Sequence, residues 1–246
     1  MNLLVLPLVC ALGATAGSAT APAPAAPPET VVLLHGVMMT GHSMARIESA
    51  LAQAGYRVIN LTYPSRKAPI ETIAADFLPT QLARHDVAAA PRLHFVTHSM
   101  GSLVVRAYLR DRRPANLGRV VMLGPPNHGS EIADKLANRE FFAWLVGVNL
   151  RDLGTGPAAV PQRLGDADYE LGVIAGSVSI NPFFAHLMPG PNDGPVSVES
   201  AKLAGMRDFL VVRHSHTLML WQGNVIAQVL AFLRTGRFER PPAPAP

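Results

Sequence analysis

The sequence predicts an α/β fold, a mostly parallel central sheet with helices on both faces. Short apolar runs alternate with helical stretches along the chain. The runs are apolar throughout rather than at every second residue, as strands covered on both faces are. Hydrophobic residues make up 49% and charged residues 15%, which supplies a core and excludes a disordered chain. A length of 246 residues suits one large domain better than two small ones.

The elements follow in order. Residues 30–35, TVVLLH, read as a buried strand ended by Gly36. Ser43 is placed to cap a helix over 44–54, which Gly55 ends. Tyr56–Leu61 is the second strand, closed by Tyr63-Pro64. Ile70–Ala88 has helical character, and Pro79 must kink or divide it, since proline lacks the N–H a helix interior needs. Arg92–Thr97 is the third strand, Met100–Arg110 a helix and Arg119–Leu123 the fourth strand. Leu171–Ala175 and Asp208–Arg213 are further strands, and Trp221–Leu233 is a closing helix.

The two ends differ in composition from this domain, expected over 29–240. Residues 3–17, LLVLPLVCALGATAG, are too short for a spanning helix and suit the apolar region of a signal peptide over about 1–19, with small residues after it. No Lys or Arg precedes Arg46, so the amino terminus alone supplies charge there. Cys10 lies inside the apolar run without a basic flank, which argues against lipidation. Residues 20–28, TAPAPAAPP, form a Pro/Ala linker, and 241–246, PPAPAP, a Pro-rich tail expected to be disordered. The expectation is an exported protein, periplasmic or secreted. A single cysteine excludes an internal disulfide framework, and no Cys/His cluster has zinc spacing. The net charge of +4 is scattered, with no basic block longer than a pair, so the footprint of nucleic-acid binding is missing.

In a parallel sheet of this kind ligands bind outside the carboxyl ends of the strands, so the residues after each strand come first. The third strand runs into Thr97-His98-Ser99-Met100-Gly101 and a helix starts at once. A serine on so sharp a turn is pushed out above the sheet, the arrangement written G-x-S-x-G, with Thr97 here in place of the first glycine. The plainer alternative is that Ser99 only caps the helix. Acyl transfer also needs two fixed backbone donors for the developing oxyanion. Met100, just after the serine, provides one, and the loop His35-Gly36-Val37-Met38-Met39 the other, with the N–H of Val37 preferred over that of Met38.

A serine nucleophile needs a base, and the base an orienting carboxylate. Asp193 lies in a turn-rich loop, PNDGPV, after the Leu171–Ala175 strand. An isolated Asp-Gly is usually just a turn; Asp166 and Asp168 are rivals that precede the strand, and Asp208 opens one. After the last strand come His214-Ser215-His216-Thr217. His216 is preferred because it lies in the loop proper, while His214 continues the strand; both stay open as the base. His98 neighbours the serine but is expected to point the wrong way, and His35, His42, His85, His94, His128 and His186 have no comparable placement.

The segments LLHGVMMT, FVTHSMGSLVVR, VVMLGPPNHGSEIAD, NDGPVSVESA and RHSHTLML, with a closing helix ending FLRTGRF, spread in this order over residues 33–238. Together they resemble the α/β-hydrolase superfamily and, within it, small bacterial lipases and esterases. The resemblance implies Ser99 as nucleophile, Asp193 as acid, His216 as base, and Val37 and Met100 as oxyanion donors. Thr97 looks like a variant seen in such lipase-like sequences. The stretch Gly124-Pro125-Pro126-Asn127-His128-Gly129-Ser130 looks like a segment that shapes the site in them without joining the triad. The activity implied is cleavage of carboxylic esters, with no metal or organic cofactor, on a small-molecule or lipid ester and in transient contact with lipid surfaces. Residues 141–148, FFAWLVGV, with Phe183, Phe184, Leu187 and Met188, suit an acyl-binding wall, a small cap or a lid, or simply pack on the sheet. A serine hydrolase or acyltransferase working on amides or thioesters, and a non-catalytic binding protein of the same fold, are the rival classes.

Overall fold

Six strands form one sheet in the computed structural model, which describes residues 26–188 and 190–240. The apolar run at 3–17, the first part of the Pro/Ala linker and the tail at 241–246 lie outside the described residues. The chain runs β1 (Thr30–Leu34), α1 (Ala45–Gln53), β2 (Arg57–Leu61), α2 (Ile70–Thr72), α3 (Leu78–Arg84), β3 (Leu93–His98), α4 (Met100–Asp111) and β4 (Leu117–Leu123). It continues through α5 (Glu131–Leu136), α6 (Glu140–Val146), α7 (Val160–Arg163), β5 (Leu171–Gly176), α8 (Pro182–Leu187), α9 (Val198–Ala201), β6 (Asp208–Val212) and α10 (Gly223–Thr235). The strand order is β2-β1-β3-β4-β5-β6, with every pair parallel. The order reverses between β1 and β3, and the register sets Leu34 opposite Thr97 and Thr97 opposite Met122. The carboxyl ends of the central strands therefore come level at this switch point.

All five residues of β1 are fully buried, because both faces of the sheet are covered. Val31 and Leu33 pack with Ile47 and Leu51 of α1 and Val225, Val229 and Phe232 of α10. Val32 and Leu34 face the other way, with Ile70, Leu78, Leu82 and the apolar side of α4. This alternation follows from the two-residue period of a strand.

Three expected elements differ in detail. Ser43 does not cap α1: its hydroxyl donates to the Thr40 carbonyl (2.8 Å), residues Gly41–Met44 form a 3-10 turn, and the helix begins after Met44 without a side-chain cap. The long helical stretch is divided as proline demands. A π-turn over Ile73–Phe77 joins α2 to α3, and Pro79 sits in the first turn of α3, where its missing N–H leaves no helical bond unmade. The closing helix starts later than the pattern suggests, because Leu218–Trp221 winds as a 3-10 turn and Gln222 is extended; Gly236, left-handed at φ 75°, ends it.

Helix α4 is buried from Met100 to Leu109, and Arg106 lies within that stretch. Its guanidinium donates to the carbonyl and side-chain oxygens of Asn127 (2.8 and 3.2 Å) and to the carbonyls of Pro161 (3.4 Å) and Gly165 (2.8 Å). Burial pulls its pKa down to about 10, so it remains a cation that ties α4 to the 124–130 segment and to α7. At the other end of the helix, a Cβ on Gly101 would lie 2.7 Å from the carbonyl oxygens of both Leu34 and His35. Only glycine lets the start of α4 press against the end of β1. Gly101→Ala is expected to lower stability by about 1–3 kcal/mol, read as a lower urea midpoint; an unchanged midpoint would mean that the contact is not tight.

Candidate active site

Ser99 occupies the one residue between β3 and α4, with φ 52° and ψ −124°. A positive φ is disfavoured for a residue with a Cβ and persists only where the surroundings hold it. Its N–H donates to the Leu123 carbonyl (2.9 Å), and its own carbonyl accepts from the Ser102 N–H (2.9 Å). Thr97, where glycine is usual, is fully buried, with its hydroxyl 2.8 Å from that of Ser102. The site thus absorbs the larger residue by giving its oxygen a partner. Among the described residues the Ser99 hydroxyl makes no hydrogen bond; Ser99 instead lines a cavity of about 440 Å³.

His216 lines the same cavity, with Asp193 buried behind it. Asp193 Oδ2 is 2.7 Å from His216 Nδ1, and the His216 N–H donates to the Asp193 carbonyl (3.0 Å). The other carboxylate oxygen accepts from the Val196 N–H (3.0 Å), and Asp193 is buried to 3% exposure. A carboxylate oxygen only accepts, so the proton at this contact is on His216 Nδ1, and among the described residues Nε2 makes no hydrogen bond. His214 turns elsewhere, with Nε2 3.1 Å from Asn224 Oδ1, so of the two candidate histidines it is His216 that lies on the carboxylate.

His98 departs from expectation. Its ring lies 4.6 Å from that of His216, and its Nε2 donates to the His216 carbonyl (2.9 Å). It packs on the base loop rather than pointing away. Complete burial, then the neighbouring His216, hold it well below the usual imidazole range, so it stays neutral.

The oxyanion candidates lie on facing segments. Val37 follows Gly36 in the loop after β1, and among the described residues its N–H has no acceptor. Met100 opens α4, where the first N–H groups have no carbonyl one turn earlier. Met38, the second choice, has φ 66° and stands 46% exposed at the rim.

Sequence reasoning missed how the 124–130 segment supports the pair. Gly124 has φ 53°, and a Cβ there would lie 2.9 Å from Asp193 Oδ2 and 3.0 Å from His216 Nδ1. Asn127 donates to the Ala201 carbonyl (2.8 Å), His128 N–H to that of Ser200 (3.0 Å) and the Ser130 hydroxyl to that of Pro195 (2.6 Å). The segment is a brace under the loop that carries Asp193. Its only signal in the sequence is the run of Gly, Pro and Asn itself.

The cavity extends beneath the insertion between β4 and β5. Its walls are Ile132, Leu136, Phe142, Leu145, Val146 and Leu153, with Phe184 closing one side. No Asp, Glu, Lys or Arg is among the described lining residues. So arranged, the site offers a hydroxyl, a free imidazole nitrogen and two unengaged N–H groups around one apolar space.

Comparison with known proteins agrees with this architecture. A model of the alpha/beta hydrolase family matches residues 31–244, and the chain belongs to that family. Among solved structures, the mature lipase BlEst2 of Bacillus licheniformis is similar at 21% identity and a TM-score of 0.67, over 88% of this chain and 94% of that one. A phospholipase of Legionella pneumophila, PlaB, is similar at 21% identity and a TM-score of 0.55, over 71% of this chain and 45% of that one. A thermophilic esterase of Thermogutta terrifontis gives 14% identity and a TM-score of 0.55, over 86% and 91%. At these identities the likeness is one of fold.

Gly124→Ala should drive His216 off Asp193. The expected result is loss of the low-field Nδ1–H proton resonance of His216 with the fold retained; a resonance unchanged in position and intensity would show that the glycine is not needed there.

Proposed function

We propose that the protein is a serine hydrolase that cleaves neutral carboxylic esters carrying an apolar acyl group. The observation that carries this reading is that Ser99 and His216, the latter held by the buried Asp193, line one cavity with apolar walls. In this reading His216 Nε2 takes the Ser99 proton as the hydroxyl oxygen attacks the ester carbonyl. The Val37 and Met100 N–H groups receive the oxyanion, a contribution of about 10²–10³ in rate per donor. The tetrahedral intermediate collapses, His216 protonates the departing alcohol, and water repeats the sequence on the acyl-enzyme. Asp193 holds the ring and stabilises the imidazolium. The acyl chain lies along Leu136, Phe142 and Leu153, where each buried methylene contributes about 0.8 kcal/mol.

Ser99→Ala should abolish turnover of p-nitrophenyl esters and labelling by a fluorophosphonate while leaving the melting temperature in place. Asp193→Asn should lower kcat by about 10⁴-fold. kcat/KM should climb from acetyl toward medium-chain esters. Activity retained in Ser99→Ala would overturn the assignment, and faster cleavage of matched amides or thioesters would reassign the bond.

The partner that this reading adds is a lipid surface. Phe141 and Trp144 on the outer face of α6, their rings 6.2 Å apart, are 63% and 68% exposed. Contiguous exposed apolar side chains of this size mark an interaction surface. Arg66 lies over the Trp144 ring (5.5 Å) and donates to its carbonyl (2.7 Å), and Arg139, just before α6, is a second exposed cation. Aromatic and basic groups side by side suit an anionic interface. In the Ser99→Ala, Trp221→Phe protein, Trp144 is the one tryptophan left, and its emission should shift to the blue on phosphatidylglycerol vesicles. No shift would remove the surface from the reading and leave the ester chemistry standing.

A further inference from the structure

A backbone N–H stabilises a developing oxyanion only if its peptide plane is already held in place, because a donor that must reorient gains little. The peptide between Gly36 and Val37 lies just past the end of β1, where ladder hydrogen bonds no longer hold it. The side chain of His35 does. Its Nδ1 is 2.7 Å from the Gly36 carbonyl oxygen, and its Nε2 is 3.2 Å from the backbone nitrogen of Tyr63.

We propose that His35 is the positioning residue of the oxyanion hole, its Nδ1–H holding the Gly36 carbonyl so that the Val37 N–H faces Ser99. The inference rests on the serine-hydrolase reading above and deepens it.

The proton assignment follows from the partners. A backbone N–H can only donate, so His35 Nε2 presents a lone pair to Tyr63, and the ring proton resides on Nδ1, where the Gly36 carbonyl accepts it. A peptide unit is planar and, throughout the described residues, trans, so its C=O and N–H point in opposite directions. Holding the Gly36 carbonyl on the His35 side therefore turns the Val37 N–H to the other side. The turn lies against the site: a Cβ on Gly36 would lie 2.8 Å from His98 Nδ1 and 3.1 Å from Ser99 Cβ, and Val37 lines the same cavity as Ser99. The Met39 N–H donates to the same carbonyl (3.3 Å) and closes the turn.

The ring itself is clamped. It stacks on Tyr63 at 4.2 Å and 13°, and the Tyr63 hydroxyl donates to the His35 carbonyl (2.5 Å). His35 is fully buried, and desolvation keeps it below the usual imidazole range. A cationic ring would also set an N–H against the N–H of Tyr63. A histidine that served packing alone would need neither the Gly36 contact nor a defined tautomer.

Two amide variants separate the roles. In His35→Asn the side-chain nitrogen takes the place of Nδ1 and still donates to Gly36. In His35→Gln the amide reaches the Nε2 position and serves Tyr63 but leaves the Gly36 carbonyl loose. His35→Gln is expected to lower kcat on a p-nitrophenyl ester by about 10²-fold with KM little changed, and His35→Asn to recover most of that loss. Equal losses in both variants, following their melting temperatures, or an unchanged kcat in His35→Gln, would overturn the proposal. Absence of turnover and of fluorophosphonate labelling at Ser99 in the unsubstituted protein would instead overturn the hydrolase reading, and this inference with it. Should either variant fail to fold, long-range proton–nitrogen NMR on the unsubstituted full chain decides: a neutral His35 with its proton on Nδ1 supports the proposal, and a proton on Nε2 sinks it.

Discussion

The turn at Ser99 carries the arrangement. One residue must take the chain from a buried parallel strand into a buried helix, and it does so at a positive φ that a side chain resists. Strain of this kind costs of the order of 1–3 kcal/mol and survives only where neighbours hold the backbone. Here β4 accepts the Ser99 N–H, and the bare face of Gly101 sits against the carbonyls of β1. The same contacts bring the first turn of α4 and the loop after β1 together, so the serine and both candidate oxyanion donors are consequences of one packing solution.

Around that turn the site is held by directed hydrogen bonds rather than by ion pairs between Lys or Arg and carboxylates. Asp193 is the carboxylate of the site, and it is held by His216 and by the Val196 N–H. His35 and His98 both lie below the usual imidazole range through burial and serve as neutral links between backbone segments. The brace from Gly124 to Ser130 acts on the other side, leaving room for the pair and holding the loop that carries the carboxylate.

The insertion between β4 and β5 gives the site its apolar character. Its inner residues, Phe142, Leu145 and Val146, line the cavity, while Phe141 and Trp144 of the same short helix face outward. A helix apolar on both faces is out of place on a surface that meets only water. Arg66 ties it down through the Trp144 carbonyl and ring, and Asn149 bonds the carbonyls of Ser65 and Ala68. The insertion is thus fastened to the loop after β2, far away in sequence.

The sequence by itself determined the class of fold, because buried strands and amphipathic helices impose their periods on the chain, and it marked where the strands end. It also picked out Ser99, Asp193 and Val37 as candidates, since each sits in a turn with its own local chemistry. It left His214 and His216 unresolved, and only the tertiary structure showed that His216 reaches the carboxylate while His214 turns to Asn224. It could not show that His98 lies on His216, that Gly124 leaves space beneath the pair, or that Tyr63 locks His35. Each of these contacts joins residues from 28 to 118 positions apart. Local pattern records the conformation a residue prefers, while the neighbours it meets are set by how strands and helices stack, and that is decided only when the sheet closes.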